Sequence, residues 1–361
     1  MDKIKITCRH CATVLVCEES DRGRKVKCPH CKKRVPVPQF SPIEKALRQA
    51  RHRAAQKKFL AVAAGVMLAL VAAMLGTWIF QPVIVRWPDR RPVGELFLAS
   101  NLYASPTNPR GWFNDSNLDV TGKGGTERFR AALVDYADRS IAILKRTGAQ
   151  GVIVWDLEGE QYPHKTTYIG DPRLLERLAP EMDAAADEFF ARLRHAGFKV
   201  GLTVRPQQLD FDYGQPHQAQ VLNVRQTLLE KIDYARKRWG ATIFYVDSTG
   251  GIRRPDEVWQ LRSVAKARPD ILLIPEHHYL PYWASTTPYI PLRRDDGGRA
   301  ADWARKFFRG AFAAVDVSDA ADDANKILRA HDRGDLLLFR AWSWSPECQL
   351  LESLASAPAA R

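Results

Sequence analysis

The feature that most constrains this chain is an uninterrupted apolar run. Residues 59–80, FLAVAAGVMLALVAAMLGTWIF, cover 22 positions without a charge. As a helix rising about 1.5 Å per residue they span about 33 Å, enough for a hydrocarbon core of roughly 30 Å. A buried helix of a globular domain normally keeps a polar face, and this run has none. The expectation is one transmembrane helix in contact with the lipid bilayer, with Trp78 and Phe80 at an interface. A cleavable signal peptide fits poorly, because nearly sixty residues precede the run.

Charge divides the chain at that span. The formal net charge is +13, and residues 1–58 hold 16 Lys and Arg against 5 acids, a net +11, which leaves +2 for everything after them. Lys45, Arg48, Arg51, Arg53, Lys57 and Lys58 precede the apolar run, whereas Arg86, Arg90 and Arg91 follow it. That bias predicts a cytoplasmic N-terminus and a large extracytoplasmic domain, as in a single-pass protein of the inner membrane. Nucleic acid is an unlikely partner for the basic arm, since basic residues beside a span are expected on topological grounds.

Five of the six cysteines lie in the first segment, and Cys348 stands by itself near the end, so no disulfide framework supports the large domain. Cys8-Arg-His-Cys11 and Cys28-Pro-His-Cys31 are two CxxC knuckles separated by 16 residues. That spacing suits a structural zinc site, each knuckle offering two thiolates to one tetrahedral Zn²⁺. A redox pair would need only one such motif. Cys17 falls in the apolar run between the knuckles and reads as a hairpin residue, with His10 and His30 at the surface. The pattern IKITCRHC…VKCPHCKKRVPVP resembles the zinc-ribbon module at the N-terminus of many bacterial membrane proteins, over about the first forty residues. The resemblance implies metal binding; what the ribbon contacts in the cytoplasm is open.

The expected organisation is a zinc ribbon over 1–40, a basic juxtamembrane segment over 41–58, the span at 59–80, a proline-rich linker over 81–92 and one α/β domain over 93–361. In that domain, apolar runs at 95–103, 151–158, 199–206, 242–248, 271–277, 311–317 and 336–342 alternate with amphipathic stretches. Continuous apolar strands separated by helices predict a parallel sheet covered on both faces. The length matches a (β/α)8 TIM-like barrel, typically about 250 residues. Its eighth strand is expected within 283–292. The rival, an open doubly wound sheet, lacks a glycine-rich phosphate turn after its first strand, since Gly122, Gly124 and Gly125 come too late.

In a parallel barrel the reactive groups gather at the C-terminal ends of the strands. Those ends offer Trp155, Asp156 and Glu158, then Arg205, Asp247 with Ser248, Glu276 with His277 and His278, Asp316, and finally Arg340, Trp342 and Trp344. GFKVGLTVRP, IFYVDST and LLIPEHH resemble the third, fourth and fifth strands of (β/α)8 glycoside hydrolases. That resemblance is generic over roughly residues 94–356. It implies two carboxyl groups flanking a scissile glycosidic bond, and Asp247 and Glu276 are the expected pair, because each closes a strongly apolar strand. Asp247 would be nucleophile or base and Glu276 the acid, with His277 beside it. Trp155 and Trp342, together with Tyr245, Tyr279, Tyr282 and Trp344, offer faces for sugar rings, while Arg205, Asp156 and Glu158 could meet hydroxyl groups of a glycan. The competing expectations are a barrel that binds carbohydrate or protein without catalysis, and a hydrolase holding a divalent cation through Asp156, Glu158, Glu160 and His164 with Asp247 or His277. No HExxH spacing supports the latter, and no G-x-S-x-G elbow supports a serine nucleophile.

Overall fold

The computed structural model describes residues 3–40, 42–79, 85–161, 166, 168–250, 253–291, 299–318, 324–341 and 346–356. The chain divides into two compact units, Met1–Ile79 and Phe80–Arg361.

The first unit begins with two antiparallel hairpins, β1 (Lys3–Thr7) with β2 (Val14–Glu18) and β3 (Lys25–Lys27) with β4 (Arg34–Pro36). Each CxxC knuckle is the turn of one hairpin. The two turns repeat the same bonds: Ala12 N donates to Cys8 O at 2.8 Å and Lys32 N to Cys28 O at 2.9 Å. Ala12 and Lys32 both take a left-handed backbone, which folds each chain back toward its second cysteine. Cys17 lies on β2, buried with Leu15, Val35 and Val37 in the small core. Helix α1 (Pro42–Ile79) then runs for 38 residues, so the basic segment and the apolar run form one continuous helix. It contains an 18-residue window with a mean hydropathy of 1.8 and is, by length and composition, long and apolar enough to cross a membrane.

The second unit is a (β/α)8 barrel. Its strands are β5 (Val93–Phe97), β6 (Gly151–Trp155), β7 (Lys199–Val204), β10 (Ile243–Val246), β11 (Leu272–Pro275), β12 (Tyr289–Pro291), β13 (Ala314–Asp316) and β14 (Leu336–Arg340), and a polar hairpin, β8 (Gln208–Asp212) with β9 (Gln215–Ala219), rises from the end of β7. The helices are α2 (Gly125–Arg146), the short α3 (Leu175–Leu178), α4 (Pro180–His195), α5 (Val224–Trp239), α6 (Pro255–Ala267), α7 (Arg299–Phe307), α8 (Ala324–Asp332) and α9 (Pro346–Ser356). Among the described residues the eight barrel strands are parallel in the order β11-β10-β7-β6-β5-β14-β13-β12. The ring nearly closes between β12 and β11, where Thr287 N donates to Leu273 O at 2.9 Å. The eighth strand is thus the three-residue β12, inside the segment expected to hold it.

Strand side chains alternate between two cores. Val93, Ile153, Trp155, Ile243, Tyr245 and Ile274 fill the inside of the ring, whereas Leu96, Val154, Leu202, Phe244 and Leu273 pack outward with the helices. Gly201 lies on the inward parity of β7, where an added Cβ would come within 2.2 Å of Ile243 O; the absence of a side chain lets β7 and β10 pair closely.

Candidate active site

Parity and register together build the mouth of the barrel. Val246 of β10 pairs with Val204 of β7 and with Pro275 of β11. The ladder continues one residue further, since Asp247 N donates to Val204 O at 2.9 Å and Glu276 N to Val246 O at 3.1 Å. Arg205, Asp247 and Glu276 therefore stand side by side on three adjacent strands. They share the inward parity of Thr203, Tyr245 and Ile274, because strand side chains repeat every two residues.

The row is held by hydrogen bonds. Arg205 Nε donates to Asp247 Oδ2 at 2.6 Å, and Ser248 Oγ lies 3.2 Å from the same oxygen. Ser248 N donates to Glu276 Oε2 at 2.7 Å, so one residue with a left-handed backbone touches both carboxyl groups. Burial pushes the Glu276 carboxyl above the ordinary carboxylate range, and the charge of Asp247 adds to the push. His277, exposed at the rim, opposes it. Glu276 and His277 line an open cleft of about 810 Å³ with Thr249, Arg253 and Tyr289, whereas Asp247, 7% exposed, lies outside that lining.

The other candidate residues occupy three places. Trp155 belongs to the barrel interior: its ring stacks on Phe97 with centroids 5.2 Å apart, leans on Tyr245 at 4.6 Å, and donates from Nε1 to Glu95 Oε1 at 3.1 Å. Asp156 takes a left-handed backbone and accepts from Tyr168 N at 3.1 Å. With Glu160, Arg340 and Tyr168 it lines a smaller pocket of about 220 Å³, where burial, then the charge of Glu160, raises its carboxyl well above the usual range. Glu158 points elsewhere, accepting from Asp171 N at 2.8 Å, and burial pushes it up to about 7. Trp342, Trp344 and His164 lie outside the described residues. Asp156 and Glu160 thus share a pocket from which Glu158 is turned away. Among the described residues the one group of three or more side chains arranged to hold a metal ion is Cys8, Cys11, Cys28 and Cys31, whose sulfur atoms all lie within 4.8 Å of one another.

Two buried groups escape sequence reasoning. Glu95, in the middle of β5, is enclosed by the barrel, where burial, then Asp316, pushes it up to about 8. The only signal in the sequence is its place between Val93 and Phe97 on the inward parity. Lys231, on α5, has a fully buried ammonium that donates to Gly170 O, Arg205 O and Gln207 O at 3.1, 2.9 and 2.7 Å and lies 3.5 Å from Asp171. It fastens the loop after β6 to the end of β7 that carries Arg205.

No protein-family model and no curated protein matches the sequence. Solved barrels similar in backbone include an α-amylase from Lactobacillus plantarum, 11% identical with a TM-score of 0.44 over 78% of this chain and 81% of that one. A maltogenic α-amylase from Thermotoga neapolitana is 13% identical with a TM-score of 0.41; the match covers 65% of this chain but spans only 61% of the amylase. The homocysteine methyltransferase MmuM from Escherichia coli is similar over 74% of this chain and 98% of its own, at 11% identity and a TM-score of 0.42.

Proposed function

We propose that this chain is a membrane-anchored glycoside hydrolase of the extracytoplasmic side, cleaving a glycan with Asp247 and Glu276. The observation that carries the reading is the row Arg205–Asp247–Glu276, in which two carboxyl groups on adjacent strands face the barrel mouth and share Ser248. Glu276, pushed toward its protonated form beside an open cleft, acts as general acid and gives its proton to the leaving glycosidic oxygen. Asp247, oriented by Arg205, is the nucleophile or base. Arg205 and His277 border the pair, and Trp342 is proposed with them; Asp156 lines the separate smaller pocket, while Trp155 in the barrel interior and Glu158, bonded to Asp171 N, stand away from the cleft.

The ribbon takes a structural Zn²⁺ on this account. A tetrahedron with Zn–S bonds of about 2.3 Å has edges of about 3.8 Å, and the Cys8–Cys31 and Cys11–Cys28 sulfur pairs both lie 3.7 Å apart. Helix α1 anchors the chain in the inner membrane with the ribbon in the cytoplasm, as the flanking charges favour.

The test is hydrolysis by the full chain across a panel of polysaccharides. Asp247→Asn and Glu276→Gln are each expected to lower the rate by a factor on the order of a thousand while the near-ultraviolet circular dichroism stays that of the parent. Full activity in either variant removes that residue from the mechanism. A second reading, a carbohydrate- or protein-binding barrel without catalysis, draws support from the place of Asp247, tied to Arg205 and outside the lining of the larger cleft. It predicts glycan binding that survives both substitutions and no hydrolysis by the parent.

A further inference from the structure

The cleft beside Glu276 carries groups that the carboxylate pair does not use. Arg253, His277 and His278 line it and are exposed. Among the described residues none of the three makes a side-chain hydrogen bond or ion pair. Thr249, on the same wall, is 3% exposed, and among the described residues its buried hydroxyl has no hydrogen-bond partner. A ligand oxygen in the cleft would give that hydroxyl the partner it lacks. Among the described residues Glu276 is the one acidic side chain in that lining. Once it holds its proton, the described wall offers a permanent guanidinium, two imidazoles and a hydroxyl, and the neighbouring carboxylates Asp247 and Glu257 are already held by Arg205 and by Gly250 N with Arg254. The volume of about 810 Å³ lies within the roughly 300–1,000 Å³ of small-ligand sites.

A neutral sugar would leave this set of cationic donors without a counterpart. We propose that the cleft is a subsite for an oxyanion borne on the glycan, a carboxylate or a phosphate on the sugar next to the scissile bond. The glycan in that statement rests on the glycoside-hydrolase reading, but the anion does not. Arg253 supplies the fixed charge and a planar fork for two oxygens. His277 and His278 add charge when protonated, and Thr249 donates its hydroxyl. Donors exposed at a rim confer selectivity more than affinity, so single anions bind in the millimolar range.

The experiment uses the full chain in detergent micelles, carrying Glu276→Gln so that no turnover intervenes. Glucuronate, inorganic phosphate and glucose are titrated at low salt, and binding is followed by ligand-observed NMR. The expected result is saturable binding of glucuronate, of phosphate, or of both, without a response to glucose; the stronger anion tells whether the natural group is a carboxylate or a phosphate. Adding Arg253→Ala, His277→Ala and His278→Ala together is expected to weaken anion binding at least about tenfold. The basic N-terminal arm is intact in that variant, so the loss belongs to the cleft. An equal response to glucose, anion binding that survives the triple substitution, or no anion binding by the parent overturns the proposal. None of these outcomes bears on whether Asp247 and Glu276 hydrolyse a glycan, which is read from turnover.

Discussion

At the scale of single residues, the buried acid Glu95 gives the most direct stability test. Its carboxyl is pushed up to about 8 by enclosure in the barrel, from an ordinary value of 4.5. Between those pH values the folded chain keeps a proton that the unfolded chain has lost. Stability from this group is therefore full below the unfolded value and falls by about 1.4 kcal/mol per pH unit as pH rises toward 8. Glu95→Gln removes the titration, so the drop in unfolding free energy from pH 5 to pH 8 should be smaller in the variant than in the parent. An unchanged drop, measured by urea unfolding at the two pH values, contradicts the assignment. How much was legible also differs residue by residue. The four ribbon cysteines announce themselves because ligand spacing is local. Asp247 and Glu276 stand out because each ends an apolar run, yet their alignment with Arg205 needs the register of three strands. Glu95 looks like an ordinary interruption of ELFLASNLY, and only closure of the ring encloses it.

At the scale of elements, the barrel strands were legible because uninterrupted apolar runs of four to six residues suit strands buried on both faces. The weak one, β12, has only three residues, two of them partly exposed, and is defined by its pairing with β13 rather than by its composition. Helix α5 illustrates the opposite limit. In VRQTLLEKIDYARKRW, Lys231 is one of five basic residues and nothing local separates it from the solvated ones, although it is wholly buried. Burial lowers its ammonium to about 8, with the charge of Asp171 working against the shift. Lys231→Met would take the ammonium from Asp171, which keeps only Arg173, and leave Arg205 O and Gln207 O without that donor, while Gly170 O keeps Arg205 N. Breaking such a buried pair costs about 3–5 kcal/mol, so urea unfolding should report a loss of that order; a loss well below about 1 kcal/mol would mean that water replaces the ammonium.

At the scale of the whole molecule, the chain divides into two compact units: one with a ribbon whose four cysteine sulfurs are close enough to bind a metal, and a barrel with Asp247 and Glu276 at neighbouring strand ends. The ribbon's contribution is open to a direct check. The purified chain should carry one zinc per molecule, and Cys28→Ser should abolish that stoichiometry while the barrel's thermal transition stays in place; zinc retained in the variant would assign the metal elsewhere. In the barrel, Asp247 and Glu276 are proposed to act as one unit. That proposal is tested most directly by hydrolysis rates of the parent, Asp247→Asn, Glu276→Gln and the double variant, measured side by side on the same glycan. Members of a catalytic unit are strongly non-additive. The double variant should be about as slow as either single one; a single variant at the parental rate, or losses that multiply in the double variant, would show that the two carboxyl groups do not act together.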